Sequence, residues 1–168
     1  GRYVIEKGEK ARCLVDGPEF YRLFESSSGE VWAGCRTGGL YRIMPDEKVV
    51  WYSDSNAEPY HIESNQIRSF AEDRFGNIWF GTFLGLHKYN PYTDKFTVYR
   101  QDHLPGSLSH SSVFSVYIDA QATIWVGTYY GGANYFNPEK EIFAHYTDNP
   151  FRKECLNYSF VGHLAEDK

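Results

Sequence analysis

The feature that most constrains this chain is a threefold internal repeat. Trp32, Trp79 and Trp125 are spaced by 47 and then 46 residues, and the same order of parts recurs around each. An apolar segment comes first: FYRLFES (20–26), IRSFAED (67–73) and VFSVYID (113–119). A short polar turn leads into the tryptophan segment, GEVWAG, GNIWFGT and TIWVGT. A Gly-containing loop and a third segment follow, GGLYRIMP, LGLHKYNP and GGANYFNP, and then a fourth, KVVWYS, KFTVYR and EIFAHYT. Runs of ~5–7 apolar, aromatic and β-branched residues bounded by Gly, Pro, Asn or Asp carry the strand signature. No 3.6-residue period is sustained, which excludes solenoids of helix pairs. Four antiparallel strands per repeat is the pattern of one β-propeller blade.

The expected fold class is therefore all-β, a β-propeller fragment built of four-stranded antiparallel blades. Three blades are expected at 18–53, 66–100 and 112–147. Residues 1–17 read as the third and fourth strands of a preceding blade, because Gly1 to Ile5 resembles Gly39 to Ile43. Residues 160–168 read as the first strand of a following blade, with Asp167 in the place of Asp73. Propellers close with ~4 to 8 blades, so the chain reads as an incomplete part of one propeller domain. Its expected partners are other blades of a longer parent, or head-to-tail copies of itself, since exposed strand edges invite pairing.

Composition supports this reading and narrows the function. Aromatic residues reach 18%, with 14 Tyr, 12 Phe and 4 Trp, and such side chains suit half-buried pleated surfaces. The net charge of −5 speaks against a nucleic-acid partner. No apolar run approaches the ~20 residues of a membrane helix, and no signal-peptide pattern opens the sequence, so no direct membrane contact is expected. Cys13, Cys35 and Cys155 are odd in number without CxxC spacing. Zinc and a disulfide framework are therefore unsupported.

The stretch DRFGNIWFGT (73–82) poses the central question, since Asp73 and Trp79 could belong to a site or to a hairpin. DAQATIWVGT (119–128) repeats it, and SSSGEVWAGC (26–35) repeats it in worn form, with Ser26 in the Asp position and Cys35 in the Thr position. Acid–base work needs two carboxylates converging on one substrate, and a metal needs several oxygens at one point. Asp73 and Asp119 are each separated from the other by a whole blade. The structural reading assigns the carboxylate to backbone N–H groups across the turn, Gly76 to a positive φ, and the indole to the seam between blades. The motif residues read this way are Trp32, Gly34, Asp73, Gly76, Trp79, Gly81, Asp119, Trp125 and Gly127. In the third copy Gln121, Ala122 and Thr123 replace the usual turn glycine and asparagine.

No catalytic residue, metal or cofactor is expected. There is no GxSxG elbow and no phosphate-binding Gly-rich loop, because the GG pairs lie in strand connections. The histidines, His61, His87, His103, His110, His145 and His163, show no metal-like spacing. His87 and His163 are expected as packed or edge residues. Recognition is expected instead in the loops at 53–65, 100–112 and 147–159 and in the second-to-third strand connections. Arg36, Tyr60, His61, Phe83, His103, Tyr129, Tyr130 and Asn134 are the candidate ligand contacts. Flat aromatic faces with polar ends suit sugars, whose C–H faces stack and whose hydroxyls need partners.

The pattern I-x-x-F-x-E-D-x-x-G-N-I-W-x-G-T-x-x-G-L-x-x-Y-N-P in 67–91 resembles the two-component regulator propeller repeat. That resemblance implies a sensor region of a Bacteroidetes-type hybrid two-component system histidine kinase, on the periplasmic side of the inner membrane. In that family such regions resemble paired seven-bladed propellers, followed by an immunoglobulin-like domain, a membrane helix and a cytoplasmic kinase. Known members respond to oligosaccharides, which makes an oligosaccharide the expected ligand. The Asp–Trp motif is also similar to the Asp-box of sialidases. An Asp-box-like glycoside hydrolase or lyase, with carboxylates ~5–9.5 Å apart, and a protein-binding scaffold are the alternatives.

Overall fold

The structure, a computed structural model, describes residues 2–7, 10–16, 19–147, 156 and 158–166; among residues 1–18 only the side chain of Val15 is described. All fourteen regular elements among them are β-strands. β1 (Arg2–Lys7) and β2 (Lys10–Asp16) form an antiparallel hairpin. Three four-stranded sheets follow, each a meander of strands adjacent in sequence. The first holds β3 (Phe20–Glu25), β4 (Val31–Cys35), β5 (Leu40–Ile43) and β6 (Val49–Tyr52). The second holds β7 (Ile67–Glu72), β8 (Ile78–Thr82), β9 (Gly85–Asn90) and β10 (Lys95–Tyr99). The third holds β11 (Val113–Ile118), β12 (Ile124–Thr128), β13 (Ala133–Asn137) and β14 (Ile142–Tyr146). Four-stranded antiparallel sheets of this kind fit the expected fold class, a β-propeller fragment. The chain divides into two compact units, residues 1–67 and 68–168.

The tryptophan strands are the most buried. β8 is buried at every position, and β4 and β12 at four of five. Their unbroken apolar runs fit burial on both faces, whereas a strand with one wet face alternates. The outer strands β10 and β14 are largely half-buried or exposed.

The first and second strands of every blade are joined by the same turn. Gly76 N–H donates to Asp73 O at 2.9 Å and Asp73 N–H to Asn77 O at 3.0 Å; Ala122 with Asp119, and Gly29 with Ser26, repeat the first bond at 2.9 Å. The closing residue has a positive φ in each case: 78° at Gly29, 76° at Gly76 and 65° at Ala122.

In the second unit the sheets β7–β10 and β11–β14 share one core, which includes Trp79, Leu86, Val113, Val126, Phe136 and Phe143. Trp79 stacks on Tyr99 of its own sheet at 5.7 Å and meets Phe136 of the next at 5.4 Å between ring centroids. Gly81 lets the sheets approach, since a Cβ there would stand 2.6 Å from Val113 Cγ1. Segment 158–166 lies against β12 in the same manner. Val161 N–H donates to Thr128 O at 3.0 Å, and a Cβ on Gly127 would stand 2.4 Å from Val161 O.

Candidate functional site

The Asp–Trp motif closes on itself. Asp73 Oδ1 accepts the backbone N–H groups of Phe75 at 2.9 Å and Asn77 at 3.0 Å. Asp73 Oδ2 accepts the indole N–H of Trp79 at 2.8 Å and the Asn77 amide at 2.8 Å. Asp119 repeats the design with Gln121 N–H at 3.0 Å, Thr123 N–H at 2.7 Å and Trp125 Nε1–H at 2.8 Å. Both carboxylates spend their oxygens on the turn and the indole, which ill suits them to proton transfer. In the first blade Ser26 Oγ accepts Glu30 N–H at 3.1 Å, a shorter reach for the same job. Trp32 is fully buried there and stacks on Tyr52 at 6.4 Å.

The opposite ends of these strands carry a second recurring arrangement. In each blade the second residue of the first strand lies against the residue that follows the tryptophan strand. Arg36 sits over the Tyr21 ring at 5.4 Å, Arg68 over the Phe83 ring at 5.1 Å, and Phe114 stacks on Tyr129 at 5.5 Å. Cation–aromatic and aromatic–aromatic pairs of this kind are favourable beyond the area they bury.

In the second unit these pairs merge into one cluster. Arg68 also lies over Phe114 at 4.2 Å and donates to Ser112 Oγ at 2.8 Å. Phe160 meets both Phe114 (5.0 Å) and Tyr129 (5.5 Å) edge-on. Tyr130 packs on Tyr129 at 4.2 Å and on His110 at 5.9 Å. Phe83, Leu84, Tyr129, Tyr130 and Phe160 are all exposed, so the cluster is an apolar patch open to solvent. Contiguous exposed apolar surface of this kind marks interaction sites.

The predicted contacts divide. Phe83, Tyr129 and Tyr130 belong to the cluster. Asn134 does not face solvent: it is fully buried, its Oδ1 accepts Ser109 N–H at 2.9 Å, and it braces the loop from β10 to β11. In the first unit Arg36 is exposed beside Tyr21, and Tyr60 is exposed beside Tyr52. His61 is half-buried, its Nδ1–H donating to Asn56 O at 3.1 Å. His103 is exposed in the loop after β10 and joins no ring contact of the cluster. His87 is fully buried against Phe80, the rings 4.9 Å apart, while His163 is exposed. Arg68, Phe114 and Phe160 escaped the sequence reading. The signal for the first two was their shared position in the repeat, one residue into the first strand.

Cys35 is a buried free thiol, which burial pushes up to about 11 despite a hydrogen bond from the Gly38 backbone. The Cys13 side chain and Cys155 lie outside the described residues. Among the described residues no three His, Cys, Asp or Glu side chains group as a metal site, and no helix is long and apolar enough to cross a membrane.

Residues 61–83 match the family model described as two component regulator propeller. The fold is similar to the extracellular domain of a protein assigned to a hybrid two component system, BT3049 from B. thetaiotaomicron. That likeness has 26% identity and a TM-score of 0.66, and covers 74% of this chain and 18% of that one. A second such domain, BT4673 from the same organism, is also 26% identical with a TM-score of 0.66, over 78% of this chain and 19% of that one. Virginiamycin B lyase from Staphylococcus aureus is 18% identical with a TM-score of 0.57, over 82% and 44% of the two chains, which is a likeness of fold alone. The chain thus spans about a fifth of the length of the two extracellular domains. No curated protein matches its sequence. Its fold is that of a β-propeller fragment, and the family-model match covers residues 61–83.

Proposed function

We propose that this chain is a ligand-sensing segment of an extracytoplasmic β-propeller in a hybrid two-component sensor. Its ligand is an oligosaccharide, and the signal passes to a histidine kinase elsewhere in the parent protein. The observation that carries the ligand class is the open ring cluster of Phe83, Phe114, Tyr129, Tyr130 and Phe160 around Arg68. Flat rings take the C–H faces of sugars, and the phenol and guanidinium groups give their hydroxyls partners. Likeness to the extracellular domains of two-component proteins supports the sensor role and the extracytoplasmic location. A ligand held across loops of more than one blade favours the blade arrangement that binds it best, and signalling follows from that difference in affinity.

Calorimetric titration of an oligosaccharide panel tests the reading. The expected result is saturable binding of at least one glycan, weakened at least tenfold by Phe83→Ala or Tyr130→Ala with the fold intact. Binding of no glycan, together with capture of a protein partner by the same face, would overturn it.

A further inference from the structure

Ser112, at the end of the loop from β10 to β11, fastens the ring cluster from below. Its side chain is buried, and its Oγ accepts the Arg68 guanidinium at 2.8 Å. Its carbonyl accepts Tyr129 N–H at 3.0 Å. Arg68 belongs to the second blade and Tyr129 to the third, so one residue seats the cation and a ring of the cluster across the seam.

Ser112 is itself held by a histidine, because its N–H donates to His110 Nδ1 at 3.0 Å. The bond runs opposite to those of two other histidines. His61 Nδ1 faces Asn56 O at 3.1 Å and His145 Nε2 faces Ser107 O at 2.7 Å. A ring nitrogen facing a carbonyl donates, and an imidazolium keeps such a bond. Nδ1 of His110 accepts, which only the neutral imidazole can do. A proton added there sets N–H against N–H, and Ser112 loses the partner of its own N–H, a costly loss at a buried residue. His110 is half-buried, so its ring is open to protons from water.

The groups around His110 leave this titration to it. Histidine is the side chain that ordinarily changes charge between pH 5 and 8. Tyr130 meets the imidazole edge-on at 5.9 Å, and its hydrogen bond with Tyr129 holds the phenol above its ordinary 10.0, so it stays neutral. Arg68, on the other side of Ser112, keeps its charge throughout. Asp102, the one acid of this loop, accepts Leu104 N–H at 2.7 Å. His145 touches the loop only through the Ser107 carbonyl bond that protonation preserves.

We propose that the ring cluster is pH-gated through His110. The neutral imidazole holds Ser112 in place, and its protonation loosens the seats of Arg68 and Tyr129. A molecule lying on these rings is then held at neutral pH and released as the pH falls toward 5. The gate is a property of the ligand-free protein, and only the release of a glycan rests on the oligosaccharide reading above.

An NMR titration of the ¹⁵N-labelled, ligand-free protein between pH 8 and 5 tests the gate. The amide signals of Ser112 and Tyr129 and the Arg68 side-chain N–H signal should move together, with the midpoint of the His110 ring signals. Asparagine accepts the N–H two residues on at any pH, so His110→Asn should flatten all three profiles, and His145→Gln should leave them as they are. Where His110→Asn does not fold, the match of midpoints in the unaltered protein decides. Flat profiles, midpoints that differ from that of His110, or shifts that persist in His110→Asn would overturn the proposal. No ligand enters this titration, so its outcome and that of the oligosaccharide reading are separate. A glycan bound in the calorimetric panel should bind at least about fivefold more weakly at pH 5.5 than at pH 7.5, the worth of one hydrogen bond. Equal affinity at the two pH values would show that the gate does not act on the site.

Discussion

The indole N–H of Trp79 donates to the carboxylate of Asp73 at 2.8 Å, and the same ring meets Phe136 of the next blade at 5.4 Å. One side chain therefore ties the turn of its own blade to the seam with its neighbour. Asp73→Ala strips acceptors from the indole and from two backbone N–H groups. Hydrogen bonds to charged groups contribute about 1.5–3 kcal/mol each and are not additive, so a total loss of about 3 kcal/mol is expected from urea unfolding. Asp119→Ala should cost roughly half as much, because Trp125 is half-buried where Trp79 is fully buried and water replaces part of the loss. Equal, negligible losses at both positions would strip the motif of its stabilising role.

Asp119 gives this device a pH dependence. Burial pushes its carboxyl up, but the hydrogen bonds from Trp125, Thr123 and Gln121 outweigh it and hold the group below its ordinary value of 3.8. A group depressed on folding contributes stability above its unfolded pKa and loses it as pH falls through the folded one. The urea midpoint should therefore drop as pH is lowered from 5 to 3, and Asp119→Ala should show a shallower drop. Parallel profiles for the two proteins would contradict this assignment.

Ala122 closes its turn with φ at 65°, where Gly76 holds the equivalent place at 76°. An L-residue with a Cβ incurs roughly 1–2 kcal/mol in the left-handed region, partly offset by the extra chain entropy glycine loses on folding. Ala122→Gly should accordingly stabilise the protein by about 0.5–1 kcal/mol, and Gly76→Ala should destabilise it by a similar amount. Paired denaturation curves would reveal opposite signs, and a destabilising Ala122→Gly would refute the argument.

Gly81 marks the closest approach of two blades. A Cβ there would stand 2.6 Å from Val113 Cγ1 and 2.7 Å from Ser69 Oγ. Gly81→Ala should cost about 1–3 kcal/mol through overpacking. Adding Val113→Ala makes room, so the double variant should lose clearly less than the sum of the single ones. Strict additivity would show that the two residues do not meet.

Much of the fold was legible because its determinants are local. A strand needs a few alternating or fully apolar residues, and the Asp73–Gly76 turn needs a side-chain acceptor followed by a residue that tolerates positive φ. The structural assignment of Asp73 and Asp119 was readable for the same reason, although the bond from the carboxylate to the indole was not, since it spans six residues and the whole turn. The candidate site was legible only in part. Phe83, Tyr129 and Tyr130 were identified as loop aromatics, but Asn134 has a polar side chain at a loop edge and gave no sign of pointing inward to hold Ser109.

By itself the sequence determined the period of 46–47 residues, the four strands in each repeat and the chemistry of their turns, because neighbours within a few residues set all three. Only the tertiary structure decided which side chains meet across repeats. Arg68 and Phe114 lie 4.2 Å apart although a whole blade of sequence separates them. Such contacts depend on how the blades stack, and no local pattern encodes that distance.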